Sequence, residues 1–337
     1  MNAVVRYYLG RLMFYAVVLV VAFAVVFLFL RLMPGDPMDI FLAQLEEMGV
    51  RVEGEAGTVQ LYRERFGLDE GLFTQYLLTM GNYLRGDFGV SLMNFGEPVA
   101  NMILVRLPWS LFLLGLASTL AWLLGLVGGT LAGWFRDTRL ARWVYNFGIG
   151  PAQVPQFVVA LLLVLAFPFA LGWFPTGGAY RPGLTPALEL EFIRSAFYHA
   201  ILPAMSLVLV SMFAWLLTTR ALTISAMGDD YMLYAEAKGL SKLRILYRYV
   251  LRNTLLPQVT SFALSLAFIV NGFYLVEWIF RYPGVGSLLV TAVGARDFNV
   301  VQGIVLLTIV AVLLANLVVE MLNPLIDPRV RTGAERE

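Results

Sequence analysis

The chain has 337 residues, of which 59% are apolar and only 14% charged, with a mean hydropathy of +0.76. A soluble domain carries about 45–50% apolar and about 25% charged residues, so soluble-enzyme, disordered and fibrous classes are excluded. A net charge of +1 gives no basic field for nucleic acid, the lack of cysteine removes disulfides and thiolate chemistry, and one histidine, His199, rules out a histidine-rich metal centre within this chain.

Crossing about 30 Å of hydrocarbon takes about 20 mostly apolar helical residues. Six stretches qualify: 12–30, 109–135, 143–172, 200–219, 257–276 and 300–319. None holds Asp, Glu, Lys or Arg, each of which costs at least about 2.5 kcal/mol at a helix centre. An all-helical integral membrane protein with six spans is expected. Ala22-Phe23-Ala24 mimics a signal-cleavage site, but the apolar run continues to Leu30. That exceeds the usual signal core of about 7–15 residues, so the segment reads as a retained span.

Residues 1–33 then form the first span, 34–108 an extracytoplasmic loop region, 109–326 a five-helix core and 327–337 a tail. The long loop reads as short helices and turns punctuated by Gly54, Gly57, Gly67 and Gly71. In the second segment Ala121, Gly125, Gly129 and Gly133 recur every four residues. This small-residue face admits another helix backbone, of this chain or of a second subunit. Gly148, Pro151 and Pro155 predict a kink or break in the third segment. His199 is expected at the outer start of the fourth, in a surface or capping role. Asn146, Gln153, Gln156, Asn271 and Asn316 either line a pathway or bond between helices.

Basic residues favour the cytoplasmic side. Arg6 and Arg11, Arg136, Arg139 and Arg142, the 220–256 loop, and Arg329, Arg331 and Arg336 all fall on one side when both termini are cytoplasmic. The cytoplasmic loop 220–257 carries both lysines, Lys238 and Lys242. Asp229 and Asp230 are expected to cap a helix from Tyr231 to Lys238, with Gly239 ending it. Paired acid–base carboxylates are the weaker reading of that pair. Ser241 is expected to cap a second helix, from Lys242 to Asn253, before Pro257 opens the fifth segment. Ala235 and Gly239 give a close-approach surface, and Tyr231, Leu233 and Tyr234 supply anchors suited to a partner's groove. Arg244, Arg248 and Arg252 form a stripe opposite Leu243, Leu246 and Val250. Headgroup anchoring and partner contact both explain the stripe.

This loop, YMLYAEAKGLSKLRILYRYVLRNTLLP over 231–257, resembles the coupling segment of ABC-importer permeases, most closely the dipeptide/oligopeptide branch. The likeness spans nearly the whole chain. It includes Pro34-Gly35-Asp36-Pro37, Phe66-Gly67-Leu68-Asp69, Gly86-Asp87-Phe88-Gly89-Val90-Ser91, Leu202-Pro203-Ala204 and Asp327-Pro328-Arg329. Glu277, Phe280, Pro283, Gly284 and Gly286 fit its E-x-x-F-x-x-P-G-x-G pattern. Leu233 and Tyr234 replace the Glu-Ala that opens the general signature, Pro257 falls later than its proline, Glu320 replaces the branch's Asp, and 46–60 reads as an extension.

The resemblance implies the type I ABC-importer permease fold in a prokaryotic cytoplasmic membrane. Implied partners are two ATPase subunits, a second homologous permease or another copy, an extracytoplasmic substrate-binding protein and the lipid bilayer. Tyr231, Ala235, Glu236, Ala237, Lys238, Gly239 and Leu240 are the implied ATPase-coupling residues. Glu277, Phe280, Pro283, Gly284 and Gly286 are implied to lie at the outer mouth, as a gate or as a connecting turn. No catalytic, metal or cofactor residue is expected here, since no G-x-x-x-x-G-K-[ST] loop is present and ATP and Mg belong to partner subunits. Branch cargoes are peptides, oligosaccharides and nickel complexes, and no substrate-binding residue is read from the sequence. A secondary transporter would favour inverted repeats or charged, broken helices at mid-membrane. A membrane enzyme would need reactive groups that these spans lack.

Overall fold

The computed structural model describes residues 3–32, 71–94, 96–267 and 274–326. The stretches 34–37, 46–60 and 66–69, Asn271 and the 327–329 motif, all singled out above, lie outside them. The described chain is helical. In order come α1 (Ala3–Leu32), α2 (Leu72–Leu84), α3 (Val99–Trp134), α4 (Arg139–Ile149), α5 (Gln156–Val164) and α6 (Leu190–Met227). Then follow α7 (Asp230–Ala237), α8 (Lys242–Ile245), α9 (Arg252–Ala267), α10 (Tyr274–Ile279), α11 (Val285–Gly294) and α12 (Phe298–Ile326). Among the described residues four helices are long and apolar enough to cross a membrane, or five if one bent pair counts as a span.

That bent pair is the third predicted segment, and it is not one straight helix. The chain turns by 91° between 139–153 and 156–171. Pro151 and Pro155 withhold backbone donors at the break. Past the break α5 runs into a wider, π-type turn (Leu165–Leu171) around Pro168 and ends at Gly172, whose φ is +66°. The 16 residues beyond the break reach only about 24 Å. Helix α4 starts on Thr138, whose hydroxyl accepts from the Ala141 N–H at 3.2 Å. It leaves Leu140, Trp143 and Phe147 exposed.

The chain folds as two compact units, 1–107 with 288–337, and 108–287. In the first, Phe23 and Phe27 of α1 and Leu306 of α12 are buried, with Tyr76, Met80 and Tyr83 of α2 around them. The Tyr76 hydroxyl donates to the Val20 carbonyl at 3.1 Å, and Arg11 meets Glu320 at 3.3 Å.

In the second unit the small-residue face of α3 meets α6. A Cβ on Gly125 would fall 2.3 Å from Trp215 Cβ, one on Gly129 2.5 Å from the Leu216 carbonyl oxygen, and one on Gly133 2.7 Å from Thr223 Cβ. Of the two uses read from the sequence, packing within the chain is the one observed. Trp122 of α3 stacks on Phe262 of α9 at 4.7 Å, and Gln156 Nε2 of α5 donates to Ser211 Oγ of α6 at 3.1 Å. Gln156 therefore bonds between helices, while Asn146 and Gln153 are exposed. Helix α6 begins ten residues before the predicted segment, so His199 sits inside it rather than at its start.

Gly129→Leu is expected to destabilise the purified protein by about 1–3 kcal/mol, because overpacking here pushes on backbone. Gly115→Ala, where a Cβ meets nothing within 4 Å, should leave the thermal midpoint unchanged. Thermal unfolding in detergent compares the two.

Candidate functional site

The 230–251 hairpin is built by local rules. Helix α7 begins after Asp229, which has extended backbone (ψ 149°) but no side-chain capping bond. Ser241 likewise precedes α8 without a side-chain cap. Both expected caps are thus positional only. The end of α7 is as anticipated. Gly239 takes a φ of +69°, its N–H donates to the Glu236 carbonyl at 2.8 Å, and the Leu240 N–H reaches the Ala235 carbonyl at 3.4 Å. This left-handed turn satisfies carbonyls that a helix end leaves free. Beyond it, α8 passes through a wider turn (Leu246–Leu251) directly into α9. The second hairpin helix is therefore continuous with the fifth segment, and Pro257 lies inside α9 instead of opening it.

The two faces of α7 differ. Met232 and Ala235 are buried against Ile245 and Val250, with Tyr231, Leu240 and Trp134 packed around them. Ala235 is thus spent inside the hairpin, not offered as a close-approach surface, and Tyr231 is half-buried on the same side. The bare face carries Leu233 and Tyr234, 68% and 73% exposed, with Glu236, Ala237, Lys238 and Gly239 also exposed. Leu243 and Tyr247 are exposed beside Arg244, Arg248 and Arg252, so Leu243 does not belong to the inner face as the stripe pattern implied. Burial pushes the Tyr231 hydroxyl above its ordinary range, with the Asp229 carboxylate adding to the effect.

The E-x-x-F-x-x-P-G-x-G stretch forms a tight turn between α10 and α11. Glu277 is 1% exposed. Its Oε2 accepts the N–H of Gly286 at 2.8 Å and of Ser287 at 3.2 Å, and its Oε1 accepts the Ser110 hydroxyl at 2.6 Å. The free N–H groups that open α11 are thereby satisfied. A Cβ on Gly284 would sit 2.1 Å from Glu277 Oε2, and one on Gly286 2.7 Å from Tyr274 Cα. The glycines are there to admit the carboxylate. Phe280 and Tyr282 are buried, Pro283 is half-buried, and the Gly178 N–H donates to the Phe280 carbonyl at 3.0 Å. Arg281 takes a left-handed φ of 47° to close the turn.

A cavity of about 1560 Å³ opens beside α3 and α6, lined largely by apolar groups such as Leu116, Leu120, Met205 and Val208. Its polar rim carries the Arg181–Glu191 ion pair at 3.0 Å, Arg194 and His199. His199 Nδ1 lies 2.8 Å from the Ser195 carbonyl oxygen, one helical turn back.

Residues 125–332 match the model of the binding-protein-dependent transport system inner membrane component family. The oligopeptide transport system permease protein AppB of Bacillus subtilis is 32% identical over 305 residues, 90% of this chain and 92% of its own length. The glutathione transport system permease protein GsiC of Escherichia coli K12 is 31% identical over 326 residues, 97% of this chain and 99% of its own. The same-named protein of Shigella dysenteriae matches to the same extent. The chain belongs to this family of transport permeases.

Two side chains of the permease went unread in the sequence. Ser110 has no pattern of its own inside an apolar run, and its partner Glu277 is 167 residues away. Asp297, 0% exposed, has a usable signal, since it immediately precedes the last apolar helix as an N-cap does. Its Oδ1 accepts the Val300 N–H at 3.2 Å. Its Oδ2 accepts the Leu92 and Met93 N–H groups at 2.8 and 2.9 Å and the Ser91 hydroxyl. Asn299 Nδ2 adds a bond to the Val90 carbonyl at 2.8 Å. The Gly86–Ser91 motif is thus the strap that reaches this carboxylate.

Asp297→Ala leaves the buried Val300 N–H and the part-buried Leu92 and Met93 N–H groups without this acceptor and should cost about 2 kcal/mol. The expected signs are a lower thermal midpoint and faster proteolysis within 86–98. Cleavage at the wild-type rate would show that the strap is held by other contacts.

Proposed function

We propose that this permease is one membrane half of an ATP-driven importer of peptides. It has six spans with both termini cytoplasmic, in the cytoplasmic membrane of a prokaryote. A second homologous permease, or a second copy, completes the pathway. Two ATPase subunits carry ATP and Mg and dock beneath the 230–251 hairpin. An extracytoplasmic binding protein delivers cargo on the side of the 34–108 loop. The E-x-x-F-x-x-P-G-x-G turn, Glu277 through Gly286, forms part of the outer gate.

The observation that carries this reading is the hairpin. Its inner face is filled by the chain's own Met232, Ala235, Ile245 and Val250, while Leu233 and Tyr234 stand bare. A helix so braced transmits a push along α8 and α9 rather than folding under it. The apolar pair, ringed by Glu236 and Lys238, suits a hydrophobic groove with a polar rim. Arg136, Arg139, Arg142, Lys242, Arg244 and Arg248 share this side of the predicted topology, which favours a cytoplasmic placement. The peptide cargo is supported by the relatives that carry oligopeptide and glutathione names. Transport then proceeds by alternating access. ATP-driven closure of the ATPase pair moves the two hairpins, and the helices continuous with them rock as rigid bodies.

Purification of the tagged protein from native membranes in mild detergent should bring down two ATPase subunits and a second permease. Leu233→Asp with Tyr234→Asp should remove the ATPases and abolish uptake without lowering the thermal midpoint of the permease, since both side chains are exposed. Retention of the ATPases by this variant would place their docking surface elsewhere.

A further inference from the structure

We infer that Ser110 and Glu277 are positioning residues that latch the outer turn onto α3, and that the tie between ATP hydrolysis and cargo movement depends on this latch. The inference rests on the importer reading above. All its groups belong to the 108–287 unit save the later turns of α11, which take no part.

The bonding pattern is directional. The Val285 N–H donates to Ser110 Oγ at 2.8 Å, so the hydroxyl accepts there and its own proton is free for Glu277 Oε1 at 2.6 Å. Glu277 spends its other oxygen on Gly286 and Ser287. One serine and one carboxylate therefore hold three consecutive N–H groups at the start of α11. Among the described residues no Lys or Arg forms an ion pair with Glu277, and its carboxyl oxygens are served by the Ser110 hydroxyl and two backbone N–H groups.

The two ends of the latch are unequal. The bonds from Gly286 and Ser287 close within the turn and travel with it. Among the described hydrogen bonds, those at Ser110 are the ones that tie the turn to α3, two residues beyond Pro108, where α3 lacks a backbone donor, while Trp109 meets Tyr282 edge-on at 6.0 Å beside them. The turn is a preformed, glycine-fitted block, and Ser110 supplies its directional, polar tie to α3. The Gly178 N–H on the Phe280 carbonyl and the packing of Phe280 and Tyr282 keep the turn in place, and the Ser110 bonds set how firmly its α11 end is held to α3. Losing the Ser110 bonds should loosen the α11 end of the block without dissolving it.

The test uses the whole importer reconstituted in proteoliposomes with its binding protein. Assembly, ATP hydrolysis with and without cargo-loaded binding protein, and peptide uptake are measured for wild type, Ser110→Ala, Ser110→Thr and Glu277→Gln. Ser110→Ala should assemble fully, hydrolyse ATP without needing loaded binding protein, and move about tenfold less peptide per ATP. Ser110→Thr, which keeps the hydroxyl, should stay near wild type, and Glu277→Gln should fall between.

Wild-type peptide-per-ATP yield in Ser110→Ala overturns the latch while leaving the importer reading intact. If Ser110→Ala fails to assemble, Glu277→Gln decides. A lowered yield in an assembled complex supports the latch, and a wild-type yield overturns it. Failure of the wild-type complex to import peptide overturns the importer reading itself, and the latch with it.

Discussion

Hydrocarbon offers no partner for a backbone N–H or C=O, so within the membrane every such group must be served by the chain itself. Long helices solve this along their length but leave four N–H groups free at each start. This permease handles two of those starts in the same way. Glu277 serves the beginning of α11 and Asp297 the beginning of α12, each as a fully buried carboxylate. In both, a serine hydroxyl shares the acceptor: Ser110 with Glu277, Ser91 with Asp297. A negative charge at a helix start also meets the positive end of the helix dipole, which lowers the cost of burying it. Irregular backbone, the 280–284 turn and the 86–94 strap, is found where these carboxylates anchor it.

The same constraint shapes the interior. Lipid tails compete with apolar side chains for helix surfaces, so helices associate through close backbone approach. Gly125, Gly129 and Gly133 let α6 come against α3 at distances that no Cβ would permit. Where the chain needs a change of direction it uses proline, and the 91° turn at 154–155 places α4 away from the line of α5. The hairpin inverts the usual economy of a surface helix. It fills one face from its own sequence neighbours and leaves large apolar side chains on the other.

Much of this was legible in advance because its causes are local. Residue-by-residue apolarity located four long apolar helices and the bent pair, and Gly239 announced a left-handed helix end because only glycine enters that region freely. The fourfold glycine spacing in α3 announced a close helix contact, and the E-x-x-F-x-x-P-G-x-G pattern marked the turn between α10 and α11. Less legible was anything that depended on which face a side chain takes. Ala235 looked like a docking surface because small residues suit both a partner and a neighbour, and only the return of Ile245 and Val250 beneath it showed which. Asp229 and Ser241 looked like caps, yet each has the backbone of one without the bond. Pro257 looked like a boundary, but α9 runs through it.

The sequence by itself determined the class of the protein, its long apolar helices, the proline break at 151–155 and the family to which it belongs. These follow from composition and from patterns only a few residues long. The tertiary structure alone decided what Glu277, Ser110, Asp297 and Ser91 do, because each acts on a group more than 160 residues away or on a helix end presented by folding. A lone serine in an apolar run carries no periodic signal, and a hydrogen bond acts only across about 3 Å. Which groups come that close is settled by helix packing, and packing is a property of the whole unit rather than of any segment in it.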